Sequence, residues 1–203
     1  MKTHIHREMT QKALGEHFAP AALETVIAAN LGQDALRYQV GHDHFHYDNN
    51  AFAAGDAYVE SLRRQAIEAL AAGHAEAARQ AFGRLTHTVQ DFYAHSNYVE
   101  LWQSIYGTDD PTRIDPLDER IRQHPDLHSG KLYYPLEAFS FIPAFEPLVL
   151  PRLPRDSHAH MNKDAPARPY FDLAYNAAVK RTRLEFERLL AHLTPEQAAL
   201  FTG

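Results

Sequence analysis

The chain has 203 residues, 45% of them hydrophobic and 23% charged, with 26 acidic against 20 basic side chains, a net charge of -6, fourteen histidines and no cysteine. That length suits one sizeable core in a single domain, 1–203, and the acidity argues against a general nucleic-acid binder. Without cysteine, disulfide scaffolds and thiolate metal sites are excluded, so any metal must sit on imidazole and carboxylate, which suits zinc, manganese or iron better than copper(I).

The opening "MKTHIHREMT" has no apolar run of the kind a signal peptide or membrane anchor needs, so the expectation is a soluble, cytoplasmic protein without a transmembrane segment. Thr3 is the expected cap of a first helix reaching about Phe18, with Ile5, Met9, Ala13 and Leu14 inward. Pro20 suits the first turn of a second helix over 21–31. The polar, aromatic stretch 32–50, "GQDALRYQVGHDHFHYDNN", reads mainly as a loop. A third helix is expected over about 55–72, and a long fourth over about 75–106, ended by "GTDDP".

From Asp109 to Arg168 the chain holds nine of its twelve prolines, including "LYYPLEAFSFIPAFEPLVLPRLP". Proline at that density rules out a long helix, and an excursion of that length tends to be functional. Helix returns over about 170–192, and "TPEQ" at 194–197 has the cap, proline and glutamine that open one more short helix. The expected class is therefore all-α: one helical bundle with a long Pro- and aromatic-rich excursion before the C-terminal helix.

Within the fourth helix, "LTHTVQDFYAHSNYVEL" places His87, Asp91 and His95 four residues apart. Such residues are neighbours on one helical face, about 5–6 Å apart at Cβ. His87 and His95 stand about 12 Å apart along the axis, too far to share one ion. The spacing therefore favours two ions with Asp91 between them, because a carboxylate has two oxygens to give. A chance row of surface residues is the plain alternative. Three further segments offer donors: "THIHRE", "GHDHFHYDNN" and "DSHAHMNKD".

Together these motifs resemble the zinc-dependent phospholipase C and single-strand nuclease superfamily, most closely its Het-C-like branch. The central helix carries the likeness, supported by "HIHREMTQKAL" with His6, "ANLGQD" and "HYDNN" with Asp34 and His46, and "HAHMNKDAPARP" with His158 and Asp164. The resemblance implies two or three Zn2+ ions in a helical domain. Asp34, His46 and His87 would serve one ion, Asp91 would bridge, His6 would help its neighbour, and His95, His158 and Asp164 would hold a third. His44 competes with His46 for its place, and His160 with His158; the N-terminal amine and His4 are further candidates.

The activity so implied is hydrolysis of a phosphate ester by a metal-activated water, with Asp34 as the catalytic group and a small-molecule or lipid phosphate ester as substrate. Nucleic acid is the less favoured substrate at this net charge. The alternative is a non-enzymatic helical module with structural metal sites in a recognition or host-interaction role. Closed coordination by protein donors would favour that alternative.

Overall fold

The computed structural model describes residues 2–38, 41–142 and 144–203. In chain order its helices are α1 (Thr3–Leu14), α2 (Pro20–Leu31), α3 (Asp43–His46), α4 (Phe52–Ala71), α5 (Ala75–His95), α6 (Tyr98–Tyr106), α7 (Glu119–Arg122), α8 (Leu136–Ser140), α9 (Glu146–Val149), α10 (His158–Met161), α11 (Phe171–Leu190) and α12 (Pro195–Thr202). Among the described residues extended pairing is limited to two isolated bridges, Ser96 with Ser129 and Lys131 with Ser157. The all-α expectation holds. No described helix is long and apolar enough to cross a membrane.

The architecture is built around α5, against which α2, α4 and α11 pack, while α1 lies on α11 and α2. One apolar core runs through all of them and includes Met9, Leu14, Val26, Ile27, Leu62, Phe82, Leu85, Ala177 and Phe201. The approach of α2 to α5 is close enough to need glycine: a Cβ on Gly83 would lie 2.2 Å from the Val26 carbonyl oxygen. From Leu85 to His95 every residue of α5 is buried. A helix buried on all sides is ordinarily apolar throughout. This one carries Thr86, His87, Thr88, Gln90, Asp91 and His95 into the interior, so each must find a partner there.

The termini of the elements differ from expectation in instructive ways. α1 begins at Thr3 itself, with Lys2 at the cap position and no side-chain cap bond, and it ends at Leu14 rather than near Phe18. The long fourth helix is two: Ser96 is extended (φ -105°, ψ 165°) between α5 and α6. No glycine or proline marks that break. Bonds from distant segments hold it open: the Ser96 carbonyl accepts from Lys163 Nζ at 2.8 Å and the Asn97 N–H donates to the His128 carbonyl at 3.0 Å, while the Ser96 hydroxyl closes the helix end on the Phe92 carbonyl at 2.5 Å. The described residues of the stretch 32–50 form short turns and α3 joined by loop. At α12 the expected cap is present: Thr194 and Gln197 form a reciprocal capping box with Pro195 in the first turn.

The excursion 109–168 is held to the bundle by polar anchors. Glu137, fully buried in α8, accepts from the Ala159 backbone N–H at 2.7 Å, and Arg168 donates to Glu146 at 3.0 Å. Its phenylalanines are not core: Phe139, Phe141 and Phe145 are each about half exposed, at 48%, 48% and 45%. Trp102 is buried in the core.

Candidate metal centre

Asp91 lies in the last turns of α5 with no solvent exposure, and its two oxygens face different partners. Oδ2 lies 2.9 Å from His46 Nδ1 and 3.0 Å from His87 Nε2. Oδ1 lies 3.2 Å from His6 Nε2 and 3.8 Å from His95 Nε2. On the first side His87 Nε2 is also 3.2 Å from His46 Nδ1 and 3.6 Å from Asp34 Oδ1. On the second, His95 Nε2 is 3.5 Å from Asp164 Oδ1. Metal–ligand bonds of about 2.0–2.2 Å give a coordination tetrahedron an edge of about 3.3–3.6 Å. The donor separations on both sides of Asp91 are of that size.

Hydrogen bonds at the far edges of two imidazoles fix which nitrogen holds the lone pair. His6 Nδ1 is 2.7 Å from Gln90 Oε1, an oxygen that also accepts from Asn30, while Gln90 Nε2 donates to Thr10 and Thr182. His6 Nδ1 must therefore carry hydrogen. His95 Nδ1 is 3.1 Å from the His46 carbonyl oxygen, which can only accept, so it carries hydrogen too. Both lone pairs then sit on Nε2, facing Asp91, and neither buried nitrogen has a hydrogen-bond donor to meet it. Buried lone pairs of this kind, with the opposite N–H anchored, are what an imidazole ligand needs. The residues therefore fit a zinc-class ion.

The protonation states agree. Burial holds the His87 imidazole down to about 4, against the pull of Asp91, so it stays neutral. Burial alone would raise the Asp91 carboxyl, but the imidazoles around it, His87, His95 and His6, become cationic at the acid pH where it titrates and keep it well below the usual carboxylate range. Asp164 is depressed in the same way, with His95 as one cause. Metal ligation needs these forms, neutral imidazole and ionised carboxylate.

The remaining candidates fall into place around this core. Tyr47, Asn49 and Asn50 have φ of 57°, 52° and 59°, a tight left-handed turn that sends neighbouring donors in different directions. His46 reaches Asp91, while Asp48 reaches His158 Nδ1 at 2.9 Å. Burial would lower the His158 imidazole, but Asp48 and then Asp164 raise it to about 9. His158 is thus hydrogen-bonded to Asp48, and those two form a third donor group with His95. Because the His95 lone pair is on Nε2, its closer association is with Asp91 and Asp164. Asp48 is the one buried donor here that the motifs above do not mark.

His44 packs on Phe45 and Tyr58, and His160 Nε2 bonds the Leu150 carbonyl, whereas His46 lies against Asp91 and His158 against Asp48. His4 is exposed, and the N-terminal amine lies outside the described residues. Lys163 is buried and donates to Ser96, Met161 and Glu100, which fixes the loop carrying Asp164. The close pass of that region over 128–131 leaves no room for a side chain at Gly130, whose Cβ would lie 2.6 Å from His158 Cα.

A family model for the VWA7 N-terminal domain matches residues 3–109, just over half of the chain. The chain belongs to the VWA7 N-terminal domain family. It is 42% identical over 82 residues to von Willebrand factor A domain-containing protein 7 of Homo sapiens and 38% identical over 81 residues to that of Rattus norvegicus. Each match takes in 40% of this chain and 9% of the relative, so the chain spans about a tenth of the length of these curated proteins. No solved structure matches.

VWA7 membership overturns the resemblance to the zinc-dependent phospholipase C and nuclease superfamily, and to its Het-C-like branch. With it go the expected phosphoesterase activity, the phosphodiesterase or phospholipase C type of hydrolase, and the catalytic role given to Asp34. The physical reason lies in what the motif encodes. Histidine and aspartate at helical spacing specify a place for a cation; they do not specify a substrate or a reaction. Within the VWA7 match lie His6, Asp34, His46, Asp48, His87, Asp91 and His95, whereas His158 and Asp164 come from beyond it.

Proposed function

We propose that this VWA7 N-terminal domain is a non-catalytic helical module whose interior is closed by two zinc-class ions, and that it serves recognition rather than chemistry. One ion would take Asp34, His46, His87 and Asp91 Oδ2; its neighbour would take Asp91 Oδ1, His6, His95 and Asp164. The observation that carries this reading is the convergence of donors on both oxygens of Asp91, all from the protein and most of them buried. Structural zinc sites are closed by four protein ligands, whereas catalytic ones keep a position open.

Electrostatics supports the same reading. Asp34, Asp91 and Asp164 bring three carboxylates together with Asp91 wholly buried. Carboxylates gathered among imidazoles are a hard, oxygen- and nitrogen-donating set, and two dications would suit its charge. The donors come from α1, the turn after α2, α3, α5 and the turn after α10, so the ions would tie together segments far apart in sequence.

Elemental analysis of protein purified without chelator is expected to give two zinc-class ions per chain. Removing them should lower Tm by about 8–16 °C per ion. That figure takes about 4 kcal/mol for an ion at a thousandfold excess over its Kd, and about 2–4 °C per kcal/mol for a domain of this size. Less than one ion per chain, or an unchanged melt after confirmed metal loss, would remove the proposal.

A further inference from the structure

Of the ten large apolar side chains exposed among the described residues, five fall between residues 139 and 148: Phe139, Phe141, Ile142, Phe145 and Leu148, the last at 62%. They stand on α8, α9 and the connection between them, with the Phe139 and Phe145 rings 6.0 Å apart at the edge of a groove of about 390 Å³. The polarity of α8 is reversed. Its one carboxylate, Glu137, is fully buried against the Ala159 backbone, while its phenylalanine faces out. A surface helix in water does the opposite.

The charge around the patch is also sorted. Between 131 and 156 each carboxylate is tied down: Glu137 by backbone N–H groups, Glu146 by Arg168, and Asp156 by Lys131 and the Tyr133 hydroxyl. Arg152 and Arg155 are exposed, and among the described residues neither pairs with a carboxylate. So the concentrated apolar exposure among the described residues, on a chain of net charge -6, is lined by Arg152, with Arg155 exposed three residues on, and neither has a carboxylate partner among the described residues. Half-exposed aromatic and aliphatic side chains in that number present on the order of 500 Å² of apolar surface. A stable dimer needs about 800 Å² from each partner.

We propose that the α8–α9 patch docks on an anionic lipid surface, with the phenylalanines and Leu148 entering the interface and Arg152 and Arg155 meeting the headgroups. Apolar side chains flanked by arginine are the chemistry of interfacial attachment, which needs no spanning helix. This inference rests on the surface alone and stands or falls apart from the metal centre.

The test is co-sedimentation of the whole chain with vesicles of phosphatidylcholine, alone or mixed with phosphatidylserine. Binding is expected on the mixed vesicles and should weaken as salt rises. Phe139→Ser with Phe145→Ser should cut partitioning at least about tenfold. Arg152→Glu with Arg155→Glu should cut it about tenfold on the mixed vesicles only. All four positions are exposed, so the melts should match the parent and report intact folding. Failure of the parent chain to sediment with either vesicle would overturn the proposal. So would binding that ignores the phenylalanine changes or is equally strong on neutral lipid. A concentration-dependent dimer that disappears on Phe139→Ser, without vesicle binding, would assign the patch to a second copy instead.

Discussion

Asp91→Asn is the substitution that most directly tests a shared ligand. Oδ2 stands 2.9–3.0 Å from one pair of imidazoles and Oδ1 3.2–3.8 Å from another. An amide keeps one oxygen, loses the negative charge, and offers a nitrogen with no lone pair for a metal. Both centres are therefore damaged by one atom change, whereas His87→Ala removes a donor from one centre. Taking about 8–16 °C per ion, the gap between metal-loaded and metal-stripped Tm should be about 16–32 °C in the parent. It should be about half that in His87→Ala and near zero in Asp91→Asn. Comparing each variant with its own stripped form removes the cost of the substitution itself. Metal content by elemental analysis should fall in step, from two equivalents to about one and to none. If Asp91→Asn keeps two equivalents in excess zinc, Asp91 only orients its neighbours, where a change weakens affinity by about 10–100-fold, and the bridge is refuted.

Two predictions concern the bundle away from the metals. Gly83→Ala should destabilise by about 1–3 kcal/mol, because the new Cβ meets the Val26 carbonyl at 2.2 Å. In an uncrowded helix the same change stabilises by about 1 kcal/mol, so the sign of the shift in a urea melt decides. Glu185, fully buried between Arg181, Arg63 and Arg188, is held below its ordinary value of 4.5 because those guanidiniums outweigh its burial. It therefore adds stability above about pH 4.5, which is lost as pH falls toward its folded-state value. Glu185→Gln should cost about 3–5 kcal/mol at neutral pH by stranding Arg181. The gap to the parent should close as the solution is acidified below that pH; a gap independent of pH would refute the ion-pair account.

Local pattern explains what was legible in the chain. The capping box at Thr194 and the row of donors on α5 depend on residues within one or two turns of each other, and both appear in the structure where the spacing puts them. The break at Ser96 was not legible, because a lysine sixty-seven residues away makes it. Asp48 was missed for a related reason: its direction follows from positive φ at Tyr47 and Asn49, which no periodicity signals. The spacing argument set His95 beside Asp91, whereas the resemblance grouped it with His158. The hydrogen on His95 Nδ1 favours the first arrangement, and it is visible only once the His46 carbonyl is in place.

The order of the donors along the chain sets an order in time. Every side chain proposed for the first ion, from Asp34 to Asp91, has been synthesised once α5 is complete, and so have His6 and His95. Asp164 follows about seventy residues later, a delay of about 4–14 s at about 5–20 residues per second. A nascent chain can thus close the first centre and dock α2 and α4 on α5 while the second still lacks a carboxylate. The excursion that carries α8 and α9 emerges during that interval, beside a partial bundle of α1, α2, α4 and α5 that still lacks α11. Its far end is tied down when Lys163 reaches the Ser96 carbonyl and Asp164 reaches His95, and α11 and α12 then complete the core.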